Sequence, residues 1–173
     1  MVVAFDLETS GLNGYYHQIV LIGMKRHGVV EQWKIWETED EIKMIQGCLR
    51  ALEQVDPFTE TIVGYNNLKF DVPFITARLE VFGKMTPETW DMLHGKKWLD
   101  LYQFLGNDCR SLTNWLHRLG IQREHEEITG KHIPELFKRK QYRKIEEHNI
   151  DDLNTSEELY NTLRMRFPDL LRA

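Results

Sequence analysis

Asp6 and Glu8 stand two apart in Phe5-Asp6-Leu7-Glu8-Thr9, at the end of a short apolar run that begins at Val2. Alternate side chains of a strand share a face, so both carboxylates point the same way. Two such groups on one face at a strand end repel each other unless cations sit between them. Their hard oxygen donors suit Mg²⁺ or Mn²⁺ in preference to a soft metal. Two further segments carry matching groups. Val63 to Asp71 (VGYNNLKFD) runs from a strand through a polar loop to Asp71, and Glu147 to Leu153 (EHNIDDL) sets His148 and Asp152 four apart on one helix face. Alone, each of these two is ordinary, since Asp is a common helix cap and a helical His/Asp pair is unremarkable. Beside Asp6 and Glu8, they complete four carboxylates and an imidazole. The imidazole's usual pKa of about 6.5 lets it move a proton at neutral pH.

The elements that carry these residues read as an α/β fold. Val2–Leu7 is a buried strand. Gln18–Arg26 and Val29–Trp36 are β-branched and aromatic runs joined at His27-Gly28, a hairpin. Thr38 opens a helix, with Glu41 three residues on as a capping box and Ile42, Ile45, Leu49 and Leu52 as its apolar stripe. Thr61–Tyr65 is a fourth strand. A helix follows with Asp71 in its cap region and Pro73 in its first turn, and Lys97–Leu101 is a fifth strand. The remainder is helical and loop-rich, ending in a long amphipathic segment from about Gln141 to Met165. That order implies a mixed five-stranded sheet, its first three strands antiparallel, with helices on both faces.

With 173 residues and no repeat or flexible linker, residues 1–173 read as one domain. Hydrophobic residues make up 42% and charged residues 28%, ordinary for a soluble globular protein. There is no apolar run long enough for a membrane span and no signal peptide at the N-terminus. Cys48 and Cys109 lie far apart without metal spacing and read as small core hydrophobes in a reducing cytoplasm. Trp33, Trp36, Trp90, Trp98 and Trp115 read as core residues, and Asp100 as a helix cap or ion-pair partner near the end of the fifth strand. His27, His94, His117, His125 and His132 form no metal spacing. A net charge of −5 argues against a general nucleic-acid coating protein but is compatible with a site that must gather carboxylates. Against it, Lys131, Lys138, Arg139, Lys140, Arg143 and Lys144 are opposed only by Glu135. The strip is either a phosphate-tracking surface or a solvated helix face.

Taken together, the three acidic segments resemble the motifs of the DEDD (DnaQ-like) 3′→5′ exonucleases, a superfamily with an RNase H-like fold. Phe5–Thr9 is similar to the first motif, Asn67–Asp71 to the second and His148–Asp152 to the third. Gly11-Leu12 and Ile19-Val20-Leu21-Ile22-Gly23 are similar to the predicted RNase H-like exonucleases within it. The third motif departs from the pattern: it combines the histidine of one branch with the spacing of the tyrosine branch. Asp152 aligns with His148 one turn away, and Asp151 is the rival ligand.

The resemblance implies a two-metal phosphodiester hydrolase using Mg²⁺ or Mn²⁺, with the ions roughly 3.5–4 Å apart. Asp6 would bridge both ions, Glu8 and Asp152 would complete one site, and Asp71 would stand in the outer shell of the other. His148 would be general base or orient the attacking water. Thr9 and Leu12 would lie beside the terminal nucleotide, Asn67 and Phe70 against its sugar or base, and Tyr15, Tyr16 and His17 would offer a stacking surface. The expected activity is 3′→5′ hydrolysis of single-stranded DNA. The alternatives are RNA trimming by the same chemistry, an RNase H-type endonuclease, and an inactive nucleic-acid-binding scaffold. Self-association to hold a strand is a further possibility for a small acidic domain.

Overall fold

Five strands form one mixed sheet in a computed structural model that describes residues 1–105 and 111–168. Strands β1 (Val2–Thr9), β2 (Ile19–Arg26) and β3 (Val29–Lys34) are antiparallel neighbours. Strands β4 (Thr61–Gly64) and β5 (Trp98–Asp100) add in parallel on the other side of β1, giving the order β3-β2-β1-β4-β5. His27 and Gly28, at φ 52° and 78°, make the tight β2–β3 turn, a conformation that matches the twist of the flanking strands. This is the sheet the sequence implies. Cys109 lies outside the described residues, and Cys48 is buried, where burial raises its thiol pKa.

Helices cover both faces. In chain order they are α1 (Ile35–Thr38), α2 (Glu41–Glu53), α3 (Asp71–Val81), α4 (Pro87–His94), α5 (Leu101–Phe104), α6 (Leu112–Leu119), α7 (Ile133–Lys138) and α8 (Tyr142–Arg166), with a 3₁₀ turn at Gly130–His132. Alternation along β1 divides its residues between two cores. Val3, Phe5 and Leu7 pack with Met44, Ile45 and Ile75 of α2 and α3, while Ala4 packs on the other face with Leu153 and Leu159 of α8. Asp6 and Glu8 share Ala4's parity and so lie on the face that α8 crosses. Each large apolar side chain buried this way contributes about 1.5–3 kcal/mol.

Three local expectations are corrected. The third strand ends at Lys34, and Trp36 sits in the one-turn α1, where it stacks on Tyr142 at 4.5 Å and 2° and fixes the start of α8. Thr38 does not cap α2. Asp40 does so, its Oδ1 accepting from the Ile42 and Lys43 N–H groups. Glu41 is used elsewhere: it takes a bidentate bond from buried Arg78 of α3 at 2.8 Å and the Ile19 N–H at 2.8 Å. One ion pair therefore ties α2, α3 and the start of β2 together. Trp90 is 46% exposed and stacks on His94 of its own helix, so it is not core.

Candidate metal centre and nucleic-acid cleft

Strand β1 is longer than its parallel partner, since pairing with β4 covers only Val2–Ala4. The Leu7 N–H beyond that point donates to Asp71 Oδ1 at 2.9 Å, so Asp71 continues the edge that β4 leaves. Asp71 is the first residue of α3, not its cap. The loop that delivers it is fixed from below by Asp100. That carboxylate accepts the Asn66 N–H at 2.9 Å and the Leu68 N–H at 3.2 Å while also capping α5 through the Tyr102 N–H. Gly64 permits the turn, because a Cβ there would lie 2.6 Å from the Phe5 carbonyl oxygen and 2.6 Å from Asn67 Nδ2.

From the other side, α8 places His148, Asn149 and Asp152 over β1 and β2. Gly23 of β2, opposite Asp6 in the ladder, makes this approach possible: a Cβ there would lie 2.0 Å from Asn149 Oδ1. Asn149 Nδ2 in turn donates to Asp6 Oδ2 at 2.8 Å, and Gln32 Nε2 fixes the amide by donating to its oxygen at 3.0 Å. His148 Nε2 lies 3.8 Å from Glu8 Oε1 and 3.5 Å from Asp152 Oδ2. Possible ligand atoms of Glu8, His148 and Asp152 all fall within 4.8 Å of one another.

Arg123, from the loop before the 3₁₀ turn, is the counter-charge the sequence reading missed. Its guanidinium donates to Asp151 Oδ2 at 2.8 Å, to Asp152 Oδ1 and to His148 Nδ1 at 3.3 Å. The Glu124 N–H also donates to Asp151, at 3.1 Å. Asp151 is thus committed to this loop, and Asp152 faces Glu8 and His148.

The electrostatics follow from crowding acids in a dry place. Burial, and then Asp71, raise the Asp6 pKa well above the usual carboxylate range, opposed by the Asn149 bond and Arg123. Burial, followed by Asp6, Asp152 and Asp71, raises Glu8 likewise. Asp152 is raised by burial and by Asp6. Asp71 is pushed up to about 7, chiefly by burial, against the pull of the Leu7 N–H. His148 moves the other way, down to about 4, through burial and then the Arg123 charge. Glu8 Oε1 is buried without a hydrogen-bond partner among the described residues. An orphaned carboxylate oxygen within a set of raised acids is what a hard divalent cation would satisfy, and the donors present are the oxygens such a cation takes. A hard divalent cation therefore fits this donor set.

A cavity of about 460 Å³ opens beside Glu8, lined by Thr9, Leu12, Phe70, Ser111, Thr129 and Lys131 among others. Thr9, Leu12 and Phe70 were expected near a terminal nucleotide, and they share this cleft. Asn67 does not reach it: the side chain is fully buried against Gly64. Tyr15 bonds Glu80 at 2.5 Å, Tyr16 is 84% exposed, and the His17 ring lies against Gly11. None of these three lines the cleft. Thr129 and Lys131 do, and only Lys131 had been signalled by sequence, through the basic strip.

Residues 3–164 match the sequence profile of the RNase H superfamily. An uncharacterized protein of Methanocaldococcus jannaschii is 30% identical over 171 residues, covering 91% of this chain and 92% of that one. Among solved structures, the family B DNA polymerase of the hyperthermophilic archaeon Pyrobaculum calidifontis superposes with a TM-score of 0.76 at 21% identity, over 94% of this chain and 24% of the polymerase. Product-bound exonuclease I superposes with a TM-score of 0.65 at 14% identity, over 99% of this chain and 45% of that one. At these identities the likeness is one of fold, and the chain spans a quarter of the polymerase and under half of exonuclease I.

Proposed function

The chain belongs to the RNase H superfamily, and from that premise we propose that it is a metal-dependent 3′→5′ exonuclease acting on single-stranded DNA. The observation that carries this reading is the convergence of Asp6, Glu8, Asp71 and Asp152 beneath α8, beside His148 and a cleft open to solvent. Glu8 and Asp152, with Asp6, would hold one divalent ion. Asp6 would share a second, more open position, with Asp71 behind it, since Asp71 Oδ1 is engaged by the Leu7 N–H. When bound, such ions activate a water for in-line attack and stabilise the departing 3′-oxygen.

The protein's own groups do the rest. Asn149 keeps Asp6 oriented, and Gln32 keeps Asn149 oriented. His148 is uncharged at neutral pH because burial lowers its pKa to about 4. A guanidinium can only donate, so Nδ1 accepts from Arg123 and the ring proton sits on Nε2, the nitrogen facing Glu8 and Asp152. In that state Nε2 orients an oxygen by donating to it. Service as a base at Nε2 requires the other tautomer, with Nδ1 protonated and Arg123 released. In the cleft, Leu12 and Phe70 would take the apolar faces of the terminal nucleoside, and Thr9 would bond its sugar.

End-labelled single-stranded DNA, RNA and duplex, each incubated with Mg²⁺ and with EDTA, test the proposal. Mg²⁺-dependent shortening of the single-stranded DNA from its 3′ end is expected. Faster shortening of RNA would move the substrate to RNA, internal cuts would point to an endonuclease, and binding without cleavage would mean an inactive scaffold.

A further inference from the structure

Lys131 has a second role in the shape of the surface. It lines the cleft beside Glu8 and also an adjoining depression with His132, Leu136, Arg139, Gln141 and Lys144. Gln141 and Lys144 continue into a third depression with Lys140 and Tyr142. Linked by Lys131 and then by Gln141 and Lys144, the three depressions follow one another as a segmented groove from the cleft beside Glu8 past α7 to the start of α8. Of the three acids along it, Glu135 is matched by Arg139 at 2.6 Å and Glu147 by Arg143 at 2.7 Å, while Glu127 faces His125 at 3.8 Å. Lys131, Lys140 and Lys144 have no ion-pair partner among the described residues, and all three are exposed.

The α7–α8 turn at the groove's far end is closely held. Lys140 occupies the α7–α8 turn with φ 56°, the left-handed position that glycine fills most easily. Its N–H and that of Gln141 bond the Phe137 and Leu136 carbonyls at 2.9 Å. Beneath the turn, Trp36 contacts both the Phe137 and Tyr142 rings. Three exposed ammonium groups, unpaired among the described residues of a chain of net charge −5, are a local attractor on a surface that otherwise repels polyanions.

We propose that this groove carries the sugar-phosphate backbone of a single nucleic-acid strand leading away from the cleft, with Lys131, Lys140 and Lys144 contacting successive phosphates. The inference rests on the exonuclease reading and extends it: affinity rises with strand length and is indifferent to sequence.

Fluorescence anisotropy of 5′-labelled oligothymidylates, five and twenty nucleotides long, tests this in EDTA across a salt series. The wild type is compared with the Lys140→Glu/Lys144→Glu double variant, whose folding is checked by thermal melting. For the twenty-mer, the variant should bind at least about tenfold more weakly, with a salt slope shallower by about 1 to 2. The five-mer should lose distinctly less. Unchanged affinity and slope, an equal loss at both lengths, or a wild type that does not bind the twenty-mer would overturn the groove. A wild type that binds as described yet cleaves no strand with Mg²⁺ would overturn the exonuclease reading alone. A wild type that cleaves, paired with a variant that binds normally, would overturn the groove alone.

Discussion

Asp151 accepts from Arg123 Nε and from the Glu124 N–H, whereas Asp152 turns toward Glu8 and His148. Adjacent residues with the same side chain therefore have different work, and isosteric substitution separates them. Asp152→Asn should lower Mg²⁺-dependent cleavage roughly a thousandfold, as expected for losing several kcal/mol of metal-borne stabilisation. Asp151→Asn should cost about 1–3 kcal/mol of stability by weakening the hold on the largely covered Arg123 side chain, with a smaller loss of rate. Steady-state rates and urea unfolding of both variants check this, and the reverse ranking would assign the ligand to Asp151. Asp6 with Glu8 at strand spacing and His148 with Asp152 at helix spacing were visible as pairs, whereas Asp71 and the joining of the three segments into one site came only from the resemblance to the exonuclease motifs. Arg123 was not legible, because it comes from an irregular loop with no periodicity. Gly23 gave a usable signal, a glycine in an otherwise apolar strand, which marks close approach by another element. Asn149 becomes meaningful only once Gly23 shows what approaches.

Between elements, the β2–β3 hairpin is tied to the segment before β4 by Glu60. That carboxylate accepts from Arg26 Nε at 2.9 Å and Nη2 at 2.7 Å, and from the Asp56 N–H at 3.0 Å. The Arg26 bond, chiefly, lowers the Glu60 pKa from 4.5 to about 2. A carboxyl lowered on folding stabilises the fold above its unfolded pKa, and that increment is lost as pH falls from about 4.5 toward 2. Glu60→Gln should therefore cost about 1–3 kcal/mol at pH 7 and much less near pH 2. Urea unfolding at several pH values measures the difference, and a pH-independent cost would refute the ion-pair account. The strands were legible as short apolar and β-branched runs buried on both faces, and helix α2 as one periodic apolar stripe. Helix α4 was not, since only Leu93 of it is buried and no stripe results. The Thr38 capping box matched a sequence pattern, but Asp40 two residues later caps the helix alone, and the buried Arg78 pair claimed Glu41.

On the scale of the whole molecule, a chain of net charge −5 concentrates four acids where burial raises their pKa values. Acids raised on folding favour the folded state less as pH climbs past their unfolded values near 4, because the folded form must then ionise at a cost or keep its protons. Divalent cations that bind only the folded cluster offset that cost. At pH 7.5 and a hundredfold excess of Mg²⁺ over its Kd, the gain is about 2.7 kcal/mol, or roughly 5–10 °C in Tm. Thermal melts in Mg²⁺ and in EDTA show it, and an equal rise in Asp6→Asn would place the ions elsewhere. No helix among the described residues is long and apolar enough to cross a membrane. The function of this cluster turns on whether it cuts from a 3′ end. Single-stranded DNA labelled at its 3′ terminus, incubated with Mg²⁺ and either wild type or Asp6→Asn, tests that directly. The wild type should release the label first as a mononucleotide, and Asp6→Asn should do so at least about a thousandfold more slowly. Label appearing first in longer fragments, or released equally by Asp6→Asn, would contradict it.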